Sequence, residues 1–194
     1  MIDPTESLYK NITLNDVQLA SIYYPILVDL AKNKHCITYS ELIAKAKELN
    51  PTNKVAERAI AVSTGRKLDV VRIFTAEREL PDLTCLIINK GSGECGSGFT
   101  QYFDPVASRK KVFEFDWSAV SVEFDGYIKH TEMIATPRRR RKESEARTLM
   151  AAYYQQHKDR LPPSVKKKRD AIIALLVEGF SEEEAFAQTL NERP

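Results

Sequence analysis

Between Leu14 and Lys32, apolar residues recur at helical spacing: Val17, Leu19, Ala20, Ile22, Tyr23, Ile26, Leu27 and Leu30. This pattern predicts a long helix central to the core, capped by Thr13 or Asn15 and kinked at Pro25. Residues 1–10 read as a short flexible lead. Thr38 followed by Glu41 three residues later is a capping box that opens a helix over Ser40–Leu49. Asn50-Pro51-Thr52-Asn53 breaks that helix and caps the next, over about Lys54–Arg72, whose inner side carries Val55, Ala59, Val62, Leu68, Val71 and Ile73. Gly65 weakens this helix by roughly 1 kcal/mol against alanine and divides a recognition helix from a shorter one.

The period then changes. Leu80-Pro81-Asp82 is a turn, and the apolar run Leu83–Ile88 predicts a buried strand. Gly91, Gly93, Gly96 and Gly98 follow in a loop that permits positive φ, and Phe99–Phe103 returns as a second strand. Asp104-Pro105 starts a helix carrying Val106, Val112, Phe113 and Trp117. Signals from Ser118 to Thr136 are mixed, with weak alternation over Ser121–Asp125 and a bend at Gly126. Beyond Pro137 the pattern is helical again: Ser144–Arg160, stopped by Pro162-Pro163, then Ser164–Glu178 and Ser181–Asn191, turning at Gly179-Phe180, with Ser181 and Glu184 as another capping box. The closing turn resembles the Gly-Phe turn of ubiquitin-associated-type three-helix modules, and equally a plain helix pair. The expected fold class is α+β: a winged helix-turn-helix-like domain over residues 1–136, then a basic linker and helical extension over 137–194.

Composition adds little to this; charge adds more. A hydrophobic share of 43% and a charged share of 29% are those of an ordinary soluble domain. No run approaches the roughly 20 apolar residues of a membrane helix, and Met1 to Tyr9 lacks the pattern of an export signal. Cys36, Cys85 and Cys95 show neither paired nor zinc spacing, which fits a reducing cytoplasm. Residues 137–170 hold 12 Lys/Arg against 4 Asp/Glu, residues 171–194 hold 1 against 5, and the remaining 136 hold 16 against 18. The basic block suits a polyanion, whereas the main domain does not.

Residues 37–99 resemble the alkyltransferase-like proteins and the DNA-binding domain of O6-alkylguanine-DNA alkyltransferases. The residues that carry the likeness are Ile37-Thr38-Tyr39-Ser40-Glu41-Leu42, then Ala56-Glu57-Arg58-Ala59-Ile60 preceded by Asn50-Pro51, then Leu83–Ile88 with Gly91–Phe99. The resemblance implies that Tyr39 touches a backbone phosphate and that Arg58 fills the gap left by an extruded base. The family's Pro-[Cys/Trp]-His-Arg run is missing; Thr84-Cys85-Leu86-Ile87 stands there instead, so alkyl transfer is not expected.

The functional expectation is a non-enzymatic, cytoplasmic, prokaryotic-type protein that binds double-stranded DNA, without cofactor or metal. Its affinity would come from Tyr39, Lys54, Arg58, Arg66 and Lys67 on the winged helix, with the Gly91–Gly98 wing against the backbone. The arm Arg138, Arg139, Arg140, Arg141 and Lys142, and the run Lys166, Lys167, Lys168 and Arg169, would neutralise phosphates. The alternative is a protein-interaction module, an accessory or inhibitor that docks on a larger nucleic-acid enzyme or on a phage or defence component. His35, His130 and His157 lie far apart, and the glycine loop lacks the Gly-Lys-[Ser/Thr] ending of a P-loop.

Overall fold

The structure is a computed structural model that describes residues 12–135 and 137–191; the predicted flexible lead lies outside the described residues. The chain divides into two compact units, residues 1–137 and 138–194.

In the first unit, α1 (Leu14–Lys32) starts at Thr13, whose hydroxyl accepts from the Asp16 N–H while the Asp16 carboxylate accepts from the Thr13 N–H. β1 (Ile37–Thr38) leads into α2 (Tyr39–Leu49), capped by the Thr38–Glu41 box that the sequence shows. Asn53 caps the one-turn helix α3 (Lys54–Glu57), and α4 (Ala61–Glu77) follows. The division of this segment falls at Arg58–Ile60, not at Gly65. Ile60 is extended, the small side chains of Ala56 and Ala59 are buried at the corner, and Gly65 lies inside α4 with open space where a Cβ would stand.

The winged helix-turn-helix expectation is overturned here. A wing needs an antiparallel hairpin, and the described residues hold a single two-stranded sheet, β1 with β2 (Ile87–Ile88), which is parallel: Ile37 pairs with Ile87 and Thr38 with Ile88. The fold is mainly α-helical. The predicted strand Leu83–Ile88 begins as a 3-10 turn, Leu83–Leu86. The Asp82 carboxylate accepts from the Thr84 N–H at 2.9 Å and its hydroxyl at 2.7 Å, a local arrangement that competes with a strand. The predicted return strand is the short helix α5 (Ser97–Thr100). Of the wing glycines, Gly93 has φ +67° and closes a tight loop with its N–H on the Asn89 carbonyl, while Gly96 caps α5.

Asp104 caps α6 (Pro105–Glu114) with Pro105 in the first turn. Trp117 lies on a separate 3-10 turn and donates its indole N–H to the Val112 carbonyl at 2.9 Å. The segment with mixed signals is α7 (Ser121–Ile134); its buried Phe124, Tyr127, Ile128 and Thr131 keep a helical period in place of the weak alternation and the bend expected at Gly126. Most of α1 is buried. Tyr24 stacks on Phe124 with centroids 3.7 Å apart, and Phe74 of α4 meets both rings edge-on.

The second unit holds α8 (Glu143–His157), a 3-10 turn at Pro163–Lys168, α9 (Arg169–Glu178) and α10 (Glu182–Asn191). Met150, Val165, Ile172, Leu175, Leu176, Phe180 and Phe186 form its interior. Gly179, at φ +100°, ends α9; its N–H and that of Phe180 bond back to the Leu176 and Leu175 carbonyls. The expected capping box of the last helix forms, with Ser181 and Glu184 bonded reciprocally.

Candidate nucleic-acid interface

The cations proposed from sequence separate into two groups. In the first unit, Lys67 is buried at 1% exposure, its ammonium 3.2 Å from the equally buried Asp16 carboxylate. Arg66 reaches the same carboxylate at 3.3 Å. Burial alone raises the Asp16 carboxyl, but Lys67, Arg66 and the Thr13 hydrogen bonds together hold it below the ordinary aspartate value. Lys67 therefore presents no charge to a phosphate; it is a core ion pair. Lys54 and Arg58 are exposed at α3 and its end. Tyr39 is half-buried, with its hydroxyl so close to Gly96 that a Cβ there would stand 3.3 Å away. A Cβ at Gly91 or Gly98 would meet open space, but the described residues hold no hairpin for these glycines to shape.

A grouping missed from sequence surrounds Arg109 of α6. Its Nε donates to the Cys85 carbonyl at 3.1 Å, and Nη2 meets both the Glu94 carboxylate and the Cys95 Sγ, the latter at 3.4 Å. Cys95 in turn donates its thiol to the Cys85 carbonyl. Burial pushes the Cys95 thiol up to about 11 against the pull of Arg109, and raises Cys85 as well. These thiols stay protonated at neutral pH, so Arg109 ties helix to loop and activates no nucleophile. Among the described residues, no cluster of three His, Cys, Asp or Glu is arranged to hold a metal ion.

In the second unit the predicted arm is half structure and half surface. Arg138 forms a bidentate pair with Glu184 at 2.7 and 2.9 Å, its guanidinium 4.4 Å over the buried Phe180 ring. Arg141 donates its backbone N–H to the Val177 carbonyl and its side chain to the carbonyls of Leu176 and Phe180. It thereby bonds the Val177 carbonyl in the last turn of α9, adds a second donor to that of Leu176, and reaches past the helix end to that of Phe180. Residues 138–142 are thus a strap across the Gly179-Phe180 turn. Arg139, Arg140 and Lys142, the other three residues of the strap, are exposed.

Glu184 gives this strap a pH dependence. The Arg138 hydrogen bonds hold its carboxyl down to about 2, against burial and with help from the Ser181 N–H. A folded-state value below the unfolded one stabilises above the ordinary 4.5, and that stabilisation is lost as pH falls toward about 2. Thermal melts followed by circular dichroism are expected to show the second unit weakening across that window, and Glu184→Gln is expected to flatten the slope.

The second basic run sits beside a cavity. Pro162-Pro163 turn the chain so that Val165, Lys166 and Arg169 come back against Met150, Ala151, Tyr154 and Gln155 of α8, enclosing an open slot of about 270 Å³. Met150 and Val165 are buried at its base, Tyr154 is half-buried, and Lys166 and Arg169 are exposed at its rim. Lys166 within the 3-10 turn and Arg169, the first residue of α9, both line the slot. Lys167 is exposed alongside, and Lys168 is half-buried. The sequence contains the cations and the two prolines, but only the fold adds the tyrosine and the slot.

Among the described residues no helix is long and apolar enough to cross a membrane. Compared with protein-family models, curated proteins and solved structures, the chain finds no match.

Proposed function

We propose that this is a non-enzymatic DNA-binding protein whose grip lies in the second unit. The observation that carries the reading is the set of exposed cations there. Arg139, Arg140 and Lys142 stand on a strap held in place by Arg138 and Arg141, and Lys166, Lys167 and Arg169 stand around an apolar slot. Cations on a rigid framework lose little order on meeting phosphates, and each neutralised phosphate releases a counterion. In the first unit Arg66 and Lys67 are committed to Asp16, which leaves it a minor contributor.

The expected result is binding that tightens as salt falls, with log K linear in log salt. Replacing both Lys166 and Lys167 by alanine should lower the slope of log K against log salt by roughly 1.5, measured by fluorescence anisotropy on labelled DNA. Absence of any binding at about 50 mM salt would reject the proposal.

A second reading, docking on a protein partner, is favoured by one feature of the first unit. Tyr102, Phe103 and Val106 are exposed by 62%, 44% and 69% within five residues of chain, a cluster of the kind that protein contacts cover. Retention of a protein from nuclease-treated lysate, lost on Tyr102→Ser with Val106→Ser, would support it.

A further inference from the structure

The slot of the second unit has two features that DNA in its paired form cannot use together. Its walls are apolar and one of them is a tyrosine ring, while its rim carries Lys166 and Arg169. A duplex brings phosphates to the rim but keeps its bases stacked inside, so the slot stays empty. An unpaired strand brings both a charged backbone and a free aromatic face. We infer that the slot seats a nucleobase of a single-stranded nucleic acid against Tyr154, with the neighbouring phosphates on Lys166 and Arg169. This rests on the DNA-binding reading above and narrows its ligand to the unpaired strand.

Charge complementarity selects this occupant. Asp170, 3.6 Å from Arg169 and almost fully exposed, is the one acid close to the rim cations among the described ion pairs, and its exposure leaves the guanidinium free to turn to a phosphate. At about 270 Å³ the slot takes a single flat ring system and is too small for a packed helix. Nothing in its lining reads a base edge in full; Gln155 alone offers an amide. The site is therefore expected to tolerate sequence, as stacking platforms do, because every base has a π-face. Tyr154 is suited to that work by its position. The adjacent Tyr153 turns inward, 4.5 Å from the Phe186 ring and 4.2 Å from His157, while Tyr154 lines the slot.

The test is an anisotropy titration of the full chain against three labelled probes: a single strand of about 16 nucleotides, its duplex, and an abasic strand with the same number of phosphates. The intact strand is expected to bind roughly tenfold tighter than the abasic one. Tyr154→Leu should erase that difference without changing the salt slope, and Tyr154→Phe should preserve it. Ala151→Leu, at an exposed position one turn before Tyr154, fills the slot while keeping the tyrosine and both rim cations; it should act like Tyr154→Leu and guards against a folding artefact. Lys166→Ala should do the reverse, lowering the slope while the preference for bases persists. Equal binding of intact and abasic strands, or indifference to both Tyr154→Leu and Ala151→Leu, would overturn the inference while leaving phosphate binding in place. So would an acidic peptide that competes for the slot, since it would assign the site to a protein. Failure of every probe to bind at low salt would remove the DNA-binding reading itself.

Discussion

Replacing Asp16 by alanine is expected to cost the first unit about 3–5 kcal/mol, the usual effect of removing one partner from a buried ion pair. Asp16 and Lys67 are each 1% exposed and 3.2 Å apart. Alanine would take from the buried Lys67 ammonium the carboxylate 3.2 Å away. It would also take away the acceptor of the Thr13 N–H at the start of α1, the helix around which the unit is packed. Lys67→Met should cost less, because Asp16 keeps Arg66 and both Thr13 hydrogen bonds. Asp16→Asn combined with Lys67→Met should recover much of the loss, since neutral groups of similar shape carry no desolvated charge. The chain has one tryptophan, Trp117, buried in this unit. Its fluorescence in a urea titration therefore reports the first unit separately from the second. A midpoint unchanged by Asp16→Ala would mean that the pair carries no structural weight.

That ion pair marks where sequence reasoning stopped. Caps were legible because their chemistry is local: Thr38 with Glu41, Asn53 before α3, Asp104-Pro105 before α6, and Gly179 after α9 all act within three or four residues. Lys67 counts as a DNA contact on charge alone, because Lys54, Arg58, Arg66, Lys67 and Arg72 outnumber Glu57 and Asp69 in that segment. Its spacing held the warning. Ser63, Lys67, Val70 and Phe74 follow the helical period and all face the core, while Asp16 supplies the charge 51 positions away in sequence. The wing failed for a related reason. The run Leu83–Ile88 is as buried as a strand would be, but strand pairing is decided at a distance. Asp82 draws the first residues into a turn, and what remains pairs in parallel with β1. The slot escaped notice because its aromatic wall and cationic rim lie on opposite sides of a proline turn whose direction no local pattern reveals.

The same contrast shapes the second large effect, at Gly179. Alanine there is expected to destabilise the second unit by about 2–4 kcal/mol, from two sources. The residue sits at φ +100°, where a side chain costs roughly 1–2 kcal/mol. A Cβ would also stand 2.7 Å from the Arg139 carbonyl oxygen and 3.1 Å from the Arg138 Cβ. Both neighbours belong to the strap, and backbone yields less readily than a flexible side chain, so the strap must lift. Lifting it strains the Arg138–Glu184 pair, withdraws Arg141 from the carbonyls at the end of α9, and uncovers Phe180. Asparagine separates the two costs. It tolerates the left-handed backbone better than alanine but brings the same Cβ. If Gly179→Asn is nearly as damaging as Gly179→Ala, the approach of the strap dominates; if asparagine is well tolerated, the backbone conformation does and the strap is loosely held. Circular dichroism of the helices gives the stability, and proteolytic cleavage after Arg139 and Arg140 gives the position of the strap. A displaced strap also scatters three of the exposed cations. Gly179→Ala is therefore expected to weaken DNA binding and shallow its salt dependence, although the substituted residue never meets a phosphate.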